Sequence, residues 1–507
     1  MILGEGNRMA DSAATLDDLF RRAGVRHPDA LALADAPNRE DFTDGPPRTL
    51  TFAEVDRAIS AFAAKLRHVG LSTDAIVALQ LPNTVESIVA FLGVLRAGMI
   101  AAPLPILWRQ QDIVSALSRI GAKAIVTASR IGVTNHTEIA MQAAVELFPV
   151  RQVCSFGRTL SDGIVPLDDI FASDHVDTPA HSPRVGPAAA HIAAITFDLD
   201  FVPIARSHVE LVAGGLETFL EAGAAADLAT LSTIPIGSFA GLSLTLVHWL
   251  LSGGSLHLHH NFDPDAFATQ CGGLGNAIAI LPASTIAAVA DAGLLTEAGQ
   301  IVVALWRTPE RMISAKAWTH PSIVVDVASF GEIGLIAARR DANGLPTPIS
   351  NGVADPLHRP SGAPKVIETV RNEAGMLALK GRMVPAYAFP PGSGREQVPR
   401  SQPQTGGFLE TGFPCRPGVD TRSLTITAPP AGVTTVGGYR FRQRDVDASV
   451  TQADPTATIV AVPDGDLGQR LAGSAGNPTV LRTALQAQGF NPLISGAFRP
   501  RSSFEAA

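Results

Sequence analysis

Thr51-Phe52-Ala53-Glu54 opens the stretch that decides the fold of this 507-residue chain. A hydroxyl and a carboxylate three residues apart have capping-box spacing, in which both side chains satisfy backbone groups left open at a helix start. Val55, Ile59, Phe62 and Leu66 then recur at helical spacing, and Gly70 ends the run. Ile76-Val77-Ala78-Leu79-Gln80-Leu81 is a short apolar strand closed by Pro82-Asn83. A second helix is expected from Val85 to Ala97 with Gly98 as its stop, and Ala124-Ile125-Val126-Thr127 is the next strand. Strands that alternate with helices predict an α/β fold with a substantially parallel sheet.

The same rhythm continues downstream. Strands are expected from Ile192 to Phe197, Thr230 to Pro235, Ile278 to Leu281 and Ile323 to Val327, with helices from Glu210 to Ala222 and Leu242 to Leu251. From Gly375 the pattern changes to strand and turn, with Met376 to Lys380 and Ser423 to Thr427 the clearest strands. Between them, Phe389 to Gly407 is rich in Pro, Gly, Ser and Gln and reads as a loop. A second break, Ala428-Pro429-Pro430-Ala431-Gly432, precedes a strand from Thr456 to Val462 and a helix near Thr479 to Gln488. The expected architecture is a large N-terminal domain, residues 1–427, of parallel-rich sheets layered with helices. A small α+β C-terminal domain follows, residues 428–507.

Hydrophobic residues make up 46% of the chain and charged ones 17%, which suits a well-buried globular protein. A formal net charge of -8 argues against a nucleic-acid partner, because phosphate neutralisation needs clustered Lys and Arg. Cys154, Cys271 and Cys415 are far apart and show no metal spacing, so buried thiols in a reducing cytoplasm are expected. Met1 to Arg8 lacks an apolar stretch of signal-peptide type. The most lipid-like region, Val85 to Trp108, carries Arg96 and is cut by Pro103 and Pro105. A transmembrane helix needs about 20 uninterrupted apolar residues, so a buried core helix followed by a loop is expected, not an integral membrane segment. His257, His259 and His260 lack nearby Cys or carboxylate spacing and do not read as a metal site.

Several stretches, in one order over most of the chain, resemble the adenylate-forming (AMP-binding) superfamily, which includes the acyl-CoA synthetases. They are Leu50 to Glu54, Leu81-Pro82-Asn83 with Gly93 to Gly98, Pro235 to Gly241, Gly375-Met376-Leu377 with Lys380-Gly381, Val384 to Tyr387, Gly407-Phe408 with Thr411-Gly412, Gly437-Gly438 with Asp445-Val446-Asp447, and Val462-Pro463-Asp464 with Leu467-Gly468. The resemblance implies a small C-terminal lid that rotates about a hinge. It also implies ATP with Mg²⁺, a small carboxylate substrate and, as acceptor, a thiol such as coenzyme A.

The chemical motifs of that family are altered here. Its phosphate loop, Thr-Ser-Gly-Thr-Thr-Gly-x-Pro-Lys-Gly, corresponds to Thr196-Phe197-Asp198-Leu199-Asp200-Phe201-Val202-Pro203-Ile204-Ala205. Such a loop needs glycines so that backbone N–H groups can approach phosphate, plus a cation. The internal glycines are gone, and Ile204 replaces the lysine. A carboxylate about 5 Å from a phosphate oxygen opposes binding by roughly 3 kcal/mol at an effective dielectric near 20. Mg²⁺ bridging Asp198 and Asp200 would reverse that sign; otherwise the two aspartates sit in a solvated turn, and Arg206 is the nearest replacement cation.

The aromatic-Gly-x-Thr-Glu motif corresponds to Ala328 to Gly334 in either of two registers. One matches Phe330-Gly331 to the aromatic-Gly pair. The other keeps Glu332 as the acid, with Ala328 at the stacking position, and needs no change in spacing from the preceding strand. Nucleotide-binding candidates are therefore Ser329, Phe330, Gly331, Glu332 and Thr411, with Glu332 the candidate Mg²⁺ ligand. Phe413 stands where a ribose-binding Asp belongs, and a phenyl ring accepts no hydrogen bond from a ribose hydroxyl. At the hinge, Ala428 to Gly432 replaces Gly-Arg-x-Lys-Asp, which leaves Gly432 as the candidate pivot. Ser238 occupies the place of a pocket histidine, and Phe239 and Gly241 are candidates for lining an acyl pocket. No lysine follows Lys380, so the lid supplies none; Ala497 lies near its expected place, with Arg499 as a poor substitute.

Three functions compete. The first is a degenerate acyl-CoA synthetase-like protein with weak or absent ATP-dependent activation, which binds an acyl compound, a thioester or a protein partner. The second is an active, divergent acid–CoA ligase for a fatty or aryl carboxylate, using Arg206, Glu332 and the two aspartates. The third is a structural subunit of a biosynthetic complex. Losses at the loop, ribose site, hinge and lid together favour the first, since several charge-stabilising groups are harder to replace than one.

Overall fold

A computed structural model describes residues 14–172, 184–295, 300–353, 366–385, 406–418, 422–464 and 467–499. Met1 to Arg8, Ala386-Tyr387 and most of the loop from Phe389 to Gly407 lie outside them. The helix Phe52–His68 starts as its sequence requires: the Thr51 amide donates to Glu54 Oε2 at 2.8 Å, and the Glu54 amide donates to Thr51 Oγ1 at 3.3 Å. A second capping box, Thr15 with Asp18, opens the helix Leu16–Arg26, which the sequence reading passed over.

Two large sheets sandwich these helices. In one, the strands run in the order Val202–Ser207, Ile192–Asp198, Ile100–Pro103, Ile76–Gln80, Ala124–Ala128, Gln152–Phe156 and Val165–Pro166. All neighbours are parallel except the first pair, which is an antiparallel hairpin. The other runs Leu335–Arg339, Ile323–Ser329, Ile301–Trp306, Ala277–Pro282, Ala229–Ser232, Leu256–Leu258, Leu31–Asp35 and Thr49–Thr51, antiparallel only at its two edges. Fully buried parallel strands explain the near-continuous Val, Ile, Leu and Ala runs.

Helix Val85–Arg96 is buried almost all round between the sheets, which accounts for its lipid-like hydropathy. Gly93 lets it approach its neighbour: a Cβ there would stand 2.6 Å from Phe62 Cδ1. Arg96 is buried but paired, at 2.7 Å with both Asp17 and Asp56. No helix among the described residues is long and apolar enough to cross a membrane.

A third sheet, antiparallel, gathers strands between Ile349 and Ile426, including Met376–Gly381, Leu409–Pro417 and Ser423–Ile426. Beyond it, two hairpins (Val433–Val436 with Tyr439–Arg442, and Thr458–Asp464 with Gly468–Ser474) combine with helices Gln443–Ala453 and Pro478–Ala487. Val446, Val450, Ile459, Leu471, Leu485 and Phe498 form an apolar cluster of their own there.

The expected helix from Leu242 to Leu251 is longer, running from Phe239 to Ser252 with Leu242–Val247 wound as a π-helix. The histidines do not alternate along a strand, because the strand ends at Leu258. His259 Nδ1 lies 2.7 Å from Gln270 Oε1, and His260 Nδ1 accepts the Asn83 amide at 3.2 Å. Cys154, Cys271 and Cys415 are buried free thiols.

Candidate functional site

The stretch matched to a phosphate loop is a tight β-hairpin. Ile192–Asp198 pairs with Val202–Ser207 up to Asp198 opposite Val202, leaving only Leu199–Phe201 to turn the chain. Asp200 and Phe201 take left-handed backbone angles, φ 60° and 56°, which ordinarily favour glycine. Cross-strand register separates two faces. Phe197 and Ala205 face an apolar cluster that also takes in Phe201, and both phenyl rings pack on Trp108, with centroids 5.5 and 5.3 Å away. Thr196, Asp198 and Arg206 share the opposite face.

Asp200 does lie exposed in the turn, as the sequence reading has it, whereas Asp198 is mostly buried; both are paired with arginines. Asp198 Oδ1 accepts from Arg440 Nη1 at 2.5 Å, and both groups are mostly buried. Asp200 takes a forked contact from Arg442, with Nε at 2.6 and 2.7 Å from its two oxygens. That contact holds the Arg442 guanidinium above its usual range. Arg440 and Arg442 are two residues apart on one strand, so they project from the same face toward two carboxylates that are also two apart.

Arg206 points inward rather than toward the turn. It is fully buried, donates through Nη2 to the Glu332 carbonyl, and lies 3.8 Å over the Phe239 ring. Burial lowers its pKa to about 10. Glu332 is buried beside it, and its Oε2 accepts the Phe239 amide at 2.9 Å. Burial pushes that carboxyl upward, opposed by the Arg206 guanidinium. Ser238 caps the same helix, its hydroxyl accepting the Gly241 amide at 3.2 Å.

Ser329 ends the strand Ile323–Ser329 and is buried. Phe330 is fully buried and packs edge-on against Phe413, the residue set against the family's ribose-binding Asp in the sequence. Gly331 has φ 60°, and a Cβ there would stand 2.1 Å from Arg440 Nη1. Arg440 thus lies against the turn at Gly331. Thr411 Oγ1 donates to the Leu377 carbonyl at 2.8 Å and accepts the Phe413 amide at 3.2 Å.

Gly432 has φ 68° with open space around its Cα, and its carbonyl accepts the Gln443 amide at 3.0 Å. The Leu107 amide donates to the Tyr439 hydroxyl at 2.9 Å, and burial raises that phenol to about 12. Gly438 lies on Arg307, whose Nη1 would be 2.4 Å from an added Cβ. Ala497 is buried, its carbonyl accepting the Gly473 amide at 3.0 Å, while Arg499 is exposed. Among the described residues, no group of three or more His, Cys, Asp or Glu is gathered to hold a metal.

The structure therefore brings Thr196, Asp198, Arg206, Gly331 and Glu332 together, three of them buried, and leaves Asp200 exposed at the turn beside them. Trp108, Arg307, Tyr439, Arg440 and Arg442 complete the surroundings and were missed in the sequence. The matching Asp-x-Asp and Arg-x-Arg spacings were the available signal.

The sequence model described as AMP-binding enzyme matches residues 20–197. A 4-hydroxyphenylalkanoate adenylyltransferase of Mycobacterium marinum is 38% identical over 106 residues, 20% of this chain and 16% of that protein. A long-chain-fatty-acid–CoA ligase of Yersinia pestis is 32% identical over 125 residues, 24% of this chain and 20% of its own length. A bassianolide nonribosomal cyclodepsipeptide synthetase of Beauveria bassiana is 35% identical over 103 residues, 20% of this chain and 3% of that protein. The matched segments thus span no more than a fifth of these relatives. Among solved structures, the amide bond synthetase McbA from Marinactinospora thermotolerans has the same fold, with a TM-score of 0.68, 19% identity and 94% of each chain covered. The MbtA apo structure of Mycobacterium smegmatis covers 96% of this chain and 92% of its own, at TM-score 0.62 and 20% identity.

Proposed function

We propose that this chain is a member of the adenylate-forming superfamily, whose AMP-binding enzyme model its residues 20–197 match, and that it binds an acyl compound with weak or absent ATP-dependent activation. One observation carries the reading: the positions at which the family grips a nucleotide are engaged by the chain's own groups. Loop backbone that would face phosphate is paired across a hairpin. The added carboxylates are held by Arg440 and Arg442. Phe413 packs on Phe330 where a ribose carboxylate belongs, and Glu332 accepts a backbone amide.

These residues do not fit ATP with Mg²⁺, and no chemical step is assigned to them. A preorganised phosphate site needs free N–H donors and a cation aimed at the ligand. Here the hairpin strands pair with each other, Arg440 and Arg442 face carboxylates, and Arg206 is turned inward over the Phe239 ring, its Nε and Nη1 buried without a hydrogen-bond partner. The ligand class we propose is a small carboxylate or an acyl thioester such as an acyl-coenzyme A, with a protein partner as a further candidate. Three buried free thiols suit a cytoplasmic setting.

The second reading is an active, divergent acid–CoA ligase, and the acid retained at Glu332 favours it. Isothermal titration with Mg-ATP, followed by carboxylate-dependent ATP–pyrophosphate exchange over fatty and aryl acids, separates the two. The proposal expects little or no heat or exchange, with retained binding of an acyl-CoA. Clear exchange with any acid supports the ligase instead.

A further inference from the structure

We propose that Asp198 and Asp200 with Arg440 and Arg442 form a clasp, built from the altered loop, that holds the C-terminal lid against the large body. Both carboxylates lie on the hairpin Ile192–Asp198/Val202–Ser207 or its turn, and both guanidiniums lie on the lid strand Tyr439–Arg442. The chain separation is 242 residues for each pair, so the contact joins two distant parts of the fold.

The two pairs reinforce one another. The forked Arg442–Asp200 contact fixes orientation as well as distance, and the single Arg440–Asp198 contact adds a second point on the same strand that limits swinging about the first. Asp198 with Arg440 is largely shielded from water, which lessens screening, whereas Asp200 with Arg442 is nearer the surface. The lid is docked beside them through the Tyr439 hydroxyl on the Leu107 amide and through Gly438 on Arg307. Gly489 adds a third point, close to the Gln110 backbone. Gly331 leaves the space Arg440 needs, since a Cβ at that position would overlap it. The loop sequence therefore has a positive use: it supplies the anion that the lid arginines hold. This holds whichever ligand the protein takes.

The Leu107 amide reports on the clasp, because it belongs to the large body and its acceptor belongs to the lid. Hydrogen exchange by mass spectrometry would be compared for the full-length protein and the variants Asp198→Asn/Asp200→Asn and Arg440→Gln/Arg442→Gln. We expect exchange in the peptide containing Leu107 to rise about tenfold in each double variant, with no further rise when the two are combined. Peptides containing Leu481 and Leu485, in the lid's own core, should keep their protection. Unchanged exchange at Leu107 would overturn the clasp. So would equal loss of protection at Leu481 and Leu485, since the carboxylates would then support lid folding rather than lid position.

Discussion

Phe413 stands edge-on against Phe330, with ring centroids 5.3 Å apart and planes at 87°. Both are buried, and this geometry is favoured by aromatic quadrupoles. A position that the resemblance assigns to a ribose-binding carboxylate has become part of the apolar interior.

Restoring the family residue should therefore harm the fold without restoring the site. Phe413→Asp removes the ring contact and leaves a carboxylate against Phe330. A loss of about 3–5 kcal/mol is expected for the truncation alone. Urea unfolding measures it, and titration with Mg-ATP should still give no heat.

Glu332 offers a sharper contrast. Glu332→Gln keeps an oxygen to accept the Phe239 amide but removes the anion beside fully buried Arg206, and should cost about 3 kcal/mol. Glu332→Ala also leaves that buried amide unpaired and should cost about 1–3 kcal/mol more. A metal ligand would behave otherwise: Mg²⁺ would raise the wild-type melting temperature, and the Gln variant would lose that rise. We expect no Mg²⁺-dependent shift in either protein.

Gly331→Ala places a methyl group on Arg440 and forces a left-handed backbone on alanine. The backbone term alone is about 1–2 kcal/mol. Thermal unfolding should register that loss, and the Leu107 peptide should exchange faster because Arg440 is displaced from Asp198.

Acid should destabilise the protein well before its surface carboxylates titrate. Burial lowers His208, His248, His257 and His260 to about 4 and His136 to about 3. Unfolded histidines titrate near about 6.5, so below that value the unfolded chain binds more protons. Their contribution is complete above about pH 6.5 and is lost as pH falls through the folded values. Asp112, raised to about 6, and Asp35, raised by burial and by Glu86, act in the opposite direction. Glu332 and Glu310, also raised by burial, join them, but the five histidines outnumber these four, so the melting temperature should fall from about pH 6.5 to about pH 4.5.

Much of the layered architecture was legible because it rests on local signals. Capping at Thr51, helical spacing from Val55 to Leu66 and the apolar runs at Ile76 and Ala124 each dictate an element without reference to distant residues. The site was less legible. Treating 196–205 as a loop followed from the family pattern, yet Phe197 and Phe201 had an apolar partner in Trp108, about ninety residues earlier. Inward burial of Arg206 depends on strand register, which shows which face each residue takes only once the hairpin is recognised. The ion pairs to Arg440 and Arg442 join residues 242 apart. Nothing in local spacing connects them, although the paired i, i+2 charges are visible on both sides.

The most direct test is carboxylate-dependent ATP–pyrophosphate exchange by the purified full-length protein, across fatty and aryl acids with Mg²⁺ present. The account predicts exchange at or barely above a control without protein. Clear, acid-dependent exchange with any acid would contradict it, because a self-engaged nucleotide site could not efficiently form an acyl adenylate.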